Sequence, residues 1–572
     1  MRSSPRKASS LRALATGALL VLLCAPLFAA DEHAARTQPA PQVKVVKDAA
    51  ASDPLLQAML AELQRSKAQL KMENVPAPYY IDYRVSELEE YAADAIFGAL
   101  RNEQRLRVRL LRAVVRVGDY QQDSYFQQGQ GMSDVMPLDD DPVALRHQLW
   151  LATDQAYKNA GEALTAKQAL LKQYTVEHPV DDFARAPALQ FIGPLVRLDA
   201  APERWRDILI AASALYRNYP QVESLDASLR FTTSNQYFVN SEGSVTRRGQ
   251  SLYQLNLTGA AQAPDGMRLE RSPYTMVAAS SELPTAEQFT ADAAKMLETL
   301  VRLRQASMVE EEYRGPVLFA PDAASDVISM LIGVNVLGRK PAPGAPARTT
   351  GAFSNSYKSR VLPAFLSIVD DPTMAAFQSH SLVGSYDVDD EGVKAAPVTV
   401  IDKGELVNYL LGRQPIRDFP ASNGHGRAGP VGPAFPSVGN LIVRASETAS
   451  PGELKRRMLE MCKEQGKPYG YLVETLGGRL APRLLYRVWV NDGHMELVRG
   501  AVFNQLDTRT LRNNLIAVGN DPEVSNRPGS VPSTVISPSL LLDELEVRRA
   551  DSAKDKLPDY PPPPLTSRTT DR

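Results

Sequence analysis

The sequence predicts an α+β fold, with helix and strand mixed in the first part of the chain and hairpins crowded into the last. Three observations point to it. Leu106, Val108 and Leu110 alternate with Arg105, Arg107 and Arg109, which is the two-residue period of a strand. Thr285 with Gln288, and Ser450 with Pro451 and Glu453, carry the capping chemistry that opens a helix. Asp492-Gly493 stands between alternating segments, as the turn of a tight hairpin does.

The elements follow in order. Leu55, Leu56, Met59, Leu60, Leu63 and Leu70 give Pro54 to Lys71 the spacing of an amphipathic helix. Tyr79 to Val85 reads as a strand and the Glu- and Ala-rich stretch after it as helix. In the 105–110 strand the leucine and valine face is expected in a core and the arginine face in solvent. Residues 122–137 read as a long loop, and Leu145 to Tyr174 as helix. Leu225 to Leu257 is a hairpin turning at Asn240-Ser241-Glu242-Gly243. Thr285 to Gln305 is helical, and the Pro/Ala/Gly run from Arg339 to Pro346 is a surface loop. Val398 to Ile401 is a strand turning at Asp402-Lys403-Gly404. A helix opened by Ser450 presents Leu454, Met458 and Met461 and stops at Gly466.

The ends of the chain bear on its location. Arg2, Arg6, Lys7 and Arg12 precede an apolar run from Ala13 to Phe28 that closes on Ala29-Ala30, the pattern of a signal peptide over 1–30. Cleavage after Ala29 or Ala30 and a periplasmic or secreted product are expected. The apolar run is shorter than the roughly 20 residues of a membrane span, and no second candidate follows. Residues 31–53 read as a linker. The domains are then 54–150, mixed α/β; 151–313, a central α+β region; and 314–548, rich in β. The Pro-rich tail 549–572 lacks core-forming residues.

Composition excludes several functions. The whole chain has 64 basic and 66 acidic residues; the leader carries four basic residues and no acidic ones, so 60 face 66 in the mature protein. That offers no field for nucleic acid. The mature chain keeps only Cys462, which precludes an internal disulfide and reads as a core residue. No two of the six histidines lie within ten residues, so helical zinc-ligand pairs are absent.

Two polar, glycine-rich segments remain as site candidates. Gly384 to Gly392 holds Asp387, Asp389, Asp390 and Glu391. It reads as an exposed turn, or else as a hard-cation or paired-carboxylate site. Ser422-Asn423-Gly424-His425-Gly426-Arg427 has glycines that let backbone approach a ligand, though its lone histidine reads first as a surface residue.

These two segments, with Ile401-Asp402-Lys403-Gly404-Glu405-Leu406, Pro436 to Val443 and Asn240 to Gly243, resemble the TldD/PmbA family of metallopeptidase-related proteins over about residues 75–548. Active members carry H-E-x-x-x-H in a helix after a G-P-V-L-F-like strand and an Ala-Ala pair. Here Gly315-Pro316-Val317-Leu318-Phe319 and Ala323-Ala324 are in place. In that register Ser329 stands for the first His, Met330 for the Glu and Val334 for the second His. The family's C-terminal cysteine ligand has no counterpart after Cys462.

The resemblance therefore implies an α+β fold with a β-rich C-terminal domain of TldD/PmbA type, on the non-catalytic PmbA/TldE-like branch. It implies no zinc on this chain, zinc on a partner subunit, and a dimer with an H-E-x-x-x-H paralogue or with itself. Unfolded peptide would be the ligand, with Asp390, Glu391, Gly392, Asn423, Gly424 and His425 as expected contacts. Two rival expectations stand beside this one. The first is a stand-alone envelope peptide-binding or scaffold homodimer. The second is an active peptidase using Asp387 to Glu391 with His380 or His425.

Overall fold

Two long hairpins organise the first half of the chain. The computed structural model describes residues 52–174, 178–198, 202–309 and 312–551; the predicted leader, nearly all of the predicted linker and the Pro-rich tail after Asp551 lie outside them. Tyr80–Ile96 turns at Phe97-Gly98, both with positive φ, into Ala99–Arg116. Ser224–Asn240 returns through Gly243 as Val245–Gln262. The sheet runs Met132–Met136, Ala99–Arg116, Tyr80–Ile96, Ser224–Asn240, Val245–Gln262, Gln190–Ile192, with Arg268–Arg271 and Tyr274–Val277 also paired to Val245–Gln262.

Two readings of the sequence are corrected here. The Glu- and Ala-rich stretch after Val85 continues the strand, paired along its length with Ala99–Arg116 and Ser224–Asn240. Its Glu87 and Glu89 sit opposite Arg109 and Arg107. Central pairing outweighs a helix preference worth roughly tenths of a kcal/mol per residue. Within 122–137, residues 132–136 form an edge strand paired to Arg109–Ala113.

The faces of the arginine strand are also the reverse of the expectation. Leu106 is 49% exposed, whereas Arg109 is 2% exposed and bonded to Glu87 and Asp140. Side chains alternate across a strand, so Arg109 shares the face of Leu111, Ala113 and Val115. Those residues pack with Tyr83, Val85 and the helices Pro54–Gln69 and Pro142–Leu171. Farther along the sheet, Tyr91, Phe231 and Leu255 pack with Pro202–Ser213 and Ala286–Gln305. The helix Ala286–Gln305 starts at the predicted Thr285–Gln288 capping box.

That leaves the opposite face of the sheet strongly polar. The register places Asp82, Arg84, Arg112, Arg116, Gln236 and Arg248 on it. Arg84, Arg112 and Arg116 are nonetheless buried: Arg84 and Arg112 reach the 429–432 segment of the C-terminal half, and Arg116 is enclosed by Asp123, Tyr125 and Phe183.

The C-terminal half contains two large sheets and two small two-stranded ones, Ala376–Phe377 with His380–Ser381 and Gly426–Arg427 with Phe435–Pro436. Of the large sheets, one is mixed, with order Ala501–Asn504, Leu540–Arg549, Tyr313–Phe319, Tyr469–Gly477, Ala481–Trp489, Met495–Arg499, Ser307–Met308. Its strand Tyr313–Phe319 is antiparallel to Leu540–Arg549 and parallel to Tyr469–Gly477. The other has order Glu405–Leu406, Val398–Asp402, Leu366–Asp370, Asn440–Ala445, Ser533–Ser537, Glu523–Arg527. Both feed one core with Ala323, Ala324, Val327 and Ile328 from the short helix Pro321–Ile328. The predicted turn at Lys403-Gly404 and the helix Pro451–Glu464 are present, and Cys462 is buried among Leu318, Leu454 and Met458. Among the described residues no helix is long and apolar enough to cross a membrane.

Candidate functional site

The family's metal-motif positions fall where the helix Pro321–Ile328 opens into a π turn, Ser329–Gly333. In an α-helix, residues five apart diverge by about 140°. The wider turn is closed by the Val334 N–H donating to the Ser329 carbonyl at 3.3 Å, which brings Val334 over Ser329. Ser329, Gly333 and Val334 accordingly line one cleft of about 590 Å³. Met330, 48% exposed, is not among the cleft's lining residues.

The opposite wall runs from Arg427 to Val438, with Gly529 to Val535 closing one end. It is held from behind by the polar face of the first sheet. Arg84 donates to the carbonyls of Gly429 and Gly432, Arg112 to that of Val431 at 3.0 Å, and Ser133 to the same oxygen at 2.8 Å.

Asp390 anchors this wall. Its carboxylate accepts from Arg248, from Arg427 Nε at 3.1 Å and from the Ala428 N–H at 2.7 Å. Burial alone would raise its pKa, but the guanidiniums of Arg248, Arg427 and Arg84 pull it down to about 2. Asp389, next to it, accepts from the N–H groups of Glu391, Val393 and Gly426 at 3.0, 2.8 and 3.0 Å. Burial and then the Glu391 charge push Asp389 up to about 8 against those bonds. Glu391 is also raised by burial, and its Oε2 accepts from the Arg413 N–H at 2.6 Å.

A carboxyl raised on folding contributes stability that is complete below its unfolded pKa and is lost as pH climbs through the folded value. For Asp389 that window runs from about pH 4 to about pH 8. The melting midpoint should therefore fall by a few °C at most between pH 5 and 8, and Asp389→Asn should flatten the slope in scanning calorimetry. An unchanged slope in the variant would mean Asp389 titrates normally.

The remaining predicted site residues lie beneath the cleft. His425 is fully buried, with Nε2 3.2 Å from Asp370 Oδ1 and Nδ1 3.1 Å from the Asn423 carbonyl. Asn423 bridges backbone, accepting from Leu411 N–H and donating to the Tyr409 carbonyl, both at 2.8 Å. Gly424 has φ +82, and a Cβ there would lie 2.4 Å from the Lys394 carbonyl oxygen. Gly392, at φ +78, abuts Phe238. None of Asp390, Glu391, Gly392, Asn423, Gly424 and His425 lines the cleft; they support the strand Gly426–Arg427 that does.

The exposed-turn reading of 384–392 and the surface reading of His425 are thus corrected, since both segments are buried except near Asp387. His380 is exposed and lines a separate cavity with Asp322 and Arg271, so it does not meet the Asp389–Glu391 group. Sequence reading missed Arg84, Arg112, Arg248, Asp370 and Arg413. The signal available for one of them was Arg112, set between apolar neighbours in Leu110 to Val117.

The family implies zinc, and the cleft does not fit it. Its lining has no His, Cys, Asp or Glu, and its charged members are Arg339 and Arg427. Among the described residues no group of three metal-binding side chains is assembled.

Comparison with known proteins agrees with this architecture. Residues 312–549 match the model of the PmbA/TldA metallopeptidase C-terminal domain. No curated protein matches the chain, but solved structures do. A candidate modulator of a DNA gyrase from Thermotoga maritima aligns with a TM-score of 0.57 at 18% identity, over 86% of this chain and 99% of that one. TldE from Thermococcus kodakarensis aligns at 0.56 and 13%, over 86% and 99%. A second candidate gyrase modulator, from Bacteroides thetaiotaomicron, aligns at 0.57 and 15%, over 86% and 98%. At these identities the likeness shows the fold, and the match to the PmbA/TldA metallopeptidase C-terminal domain covers the sheets, helix and π turn that build the cleft.

Proposed function

We propose that this chain is an exported, catalytically silent TldD/PmbA-family subunit. It receives an unfolded peptide in the cleft and completes the peptide cavity of a zinc-bearing paralogue. The observation that carries this is the π turn. It presents positions 329 and 334 side by side at a cleft, as a ligand pair requires, yet they are Ser and Val. Such side chains hold no Lewis acid and activate no water. Export rests on the basic and apolar leader pattern of residues 1–30. Pairing is supported by the apolar side chains left exposed around the cleft: Met330, Val334, Val431 and Phe435, between 43% and 53% exposed.

The test is a peptidase assay on an unfolded peptide with three preparations: this chain, an H-E-x-x-x-H family member from the same organism, and their mixture. Cleavage by the mixture, with none by this chain, is expected. Cleavage by this chain alone, abolished by His425→Ala, would overturn the silent reading and favour an independent site.

A further inference from the structure

The polar face of the first sheet changes character along its strands. At one end Arg84 and Arg112 reach the 429–432 segment and are buried. Leu106, Val108 and Leu110 lie on the same face as Arg112, because side chains alternate along a strand, yet Leu106 is 49% exposed. The register sets Val135, 58% exposed, opposite Leu110, and Leu88 opposite Val108. The aliphatic surface therefore crosses three adjacent strands, roughly 10 Å. Among the described residues, none of these five side chains packs into a hydrophobic core.

The same rows continue across the sheet as uncharged side chains. Ser234 and Gln250 follow Leu88, and Thr232 and Leu252 follow Glu90. Glu90 is the charged group in these rows, and it is paired with Arg230 of the next row at 3.7 Å. The solvated face of an antiparallel sheet is normally polar, and the core of a protein–protein interface is depleted of charged residues. An aliphatic face with its charge neutralised matches the second description.

This face runs into the rim of the cleft. Ser133, one step along the face from Val135, donates to the Val431 carbonyl at 2.8 Å, as Arg112 does at 3.0 Å. Val431 and Phe435 line the cleft together with Val334. Leu106, Val135, Val431, Phe435, Val334 and its neighbour Met330 are between 43% and 58% exposed. Six such side chains offer on the order of 600 Å² of apolar surface, against about 800 Å² buried per partner in a standard protein interface. A peptide is one strand wide, about 5 Å, and would leave most of this band uncovered. The exposed Asp134, Asp139 and Asp141 adjoining Val135 oppose an anionic membrane surface.

We infer that this band, from Leu106 and Val135 on the first sheet to Val334 at the π turn, is the docking surface for the zinc-bearing paralogue. The inference rests on the paired-subunit reading and adds the surface that does the pairing. Val334, Val431 and Phe435 belong to both band and cleft, so a subunit seated there roofs the cleft. Two copies of this chain would instead enclose clefts that both lack a metal donor set.

The test mixes the full chain with an H-E-x-x-x-H family member from the same organism and reads complex formation by sedimentation velocity over a concentration series. A heterodimer is expected. Leu106→Glu and Val135→Glu, both at exposed positions outside the cleft, should each raise its Kd about tenfold or more with melting curves unchanged. Arg107→Ala, on the opposite face of the same strand, should leave the Kd as it is.

A complex of undiminished affinity in both glutamate variants overturns the docking surface and leaves the pairing reading standing. Equal weakening by Arg107→Ala also overturns the surface, because the effect then does not belong to this face. No complex at micromolar concentration, with this chain monomeric, overturns surface and pairing together. Self-association of this chain alone, abolished by Leu106→Glu, puts a second copy on the band and overturns the paralogue assignment.

Discussion

Asp390→Ala should destabilise the protein by about 3–5 kcal/mol, the cost of removing one partner from a buried ion cluster. The carboxylate is fully enclosed, and its loss leaves Arg248 and Arg427 without their acceptor and removes the larger of the carboxylate charges acting on Arg84. It also frees the Ala428 N–H, which begins the cleft wall. Urea denaturation of the wild type, Asp390→Asn and Asp390→Ala checks this, with Asn intermediate because it keeps an acceptor. The pH dependence has a definite sign. A carboxyl depressed to about 2 contributes stability that is present above its unfolded pKa, near 4, and is lost as pH falls toward 2. A loss below about 1 kcal/mol in Asp390→Ala would mean that the cluster does not support the cleft.

Arg413→Ala should be comparably severe, again about 3–5 kcal/mol. Its side chain is wholly buried, donates twice to the Ala184 carbonyl at 2.9 and 2.7 Å, and pairs with Glu242 at 2.7 Å. The guanidinium packs on Tyr80 and on Phe183, at 5.1 and 4.0 Å. One side chain from the C-terminal half thus pins the Asn240–Gly243 turn and the 183–184 segment of the first half. Hydrogen exchange should show the effect locally, with amides around Val239 to Val245 and Phe183-Ala184 opening faster in the variant. Uniform acceleration across both halves would instead indicate global loss of stability without a pinning role.

The sequence disclosed elements that carry their own punctuation. Thr285-Gln288, Ser450-Pro451 and Lys403-Gly404 declare helix starts and a turn through local chemistry, and the structure places each there. It did not disclose what depends on long-range pairing. The helical expectation after Val85 failed because that segment is held by strands about 20 and 140 residues away in sequence. The arginine strand was assigned the wrong faces because the window 105–110 overhangs the core, whereas Leu111 to Val115 decides the parity. At the site, the absence of a metal donor at 329, 330 and 334 was legible from the family register. The burial of Asp389, Asp390 and His425 was not, because a Gly- and Asp-rich segment has the composition of a surface turn. Only the arginines of a distant sheet face, Arg84 and Arg248, turn it into an enclosed ion cluster.

Metal content is the most direct test of the central claim that this chain keeps the frame of a zinc site and lacks its chemistry. Native mass spectrometry of the protein isolated from its own cells, with metal analysis of the same sample, reads subunit masses and bound zinc together. The expected result is a metal-free chain, with zinc found only when a second subunit of different mass is present. One zinc per isolated chain, retained through dialysis against a weak chelator, would contradict the account.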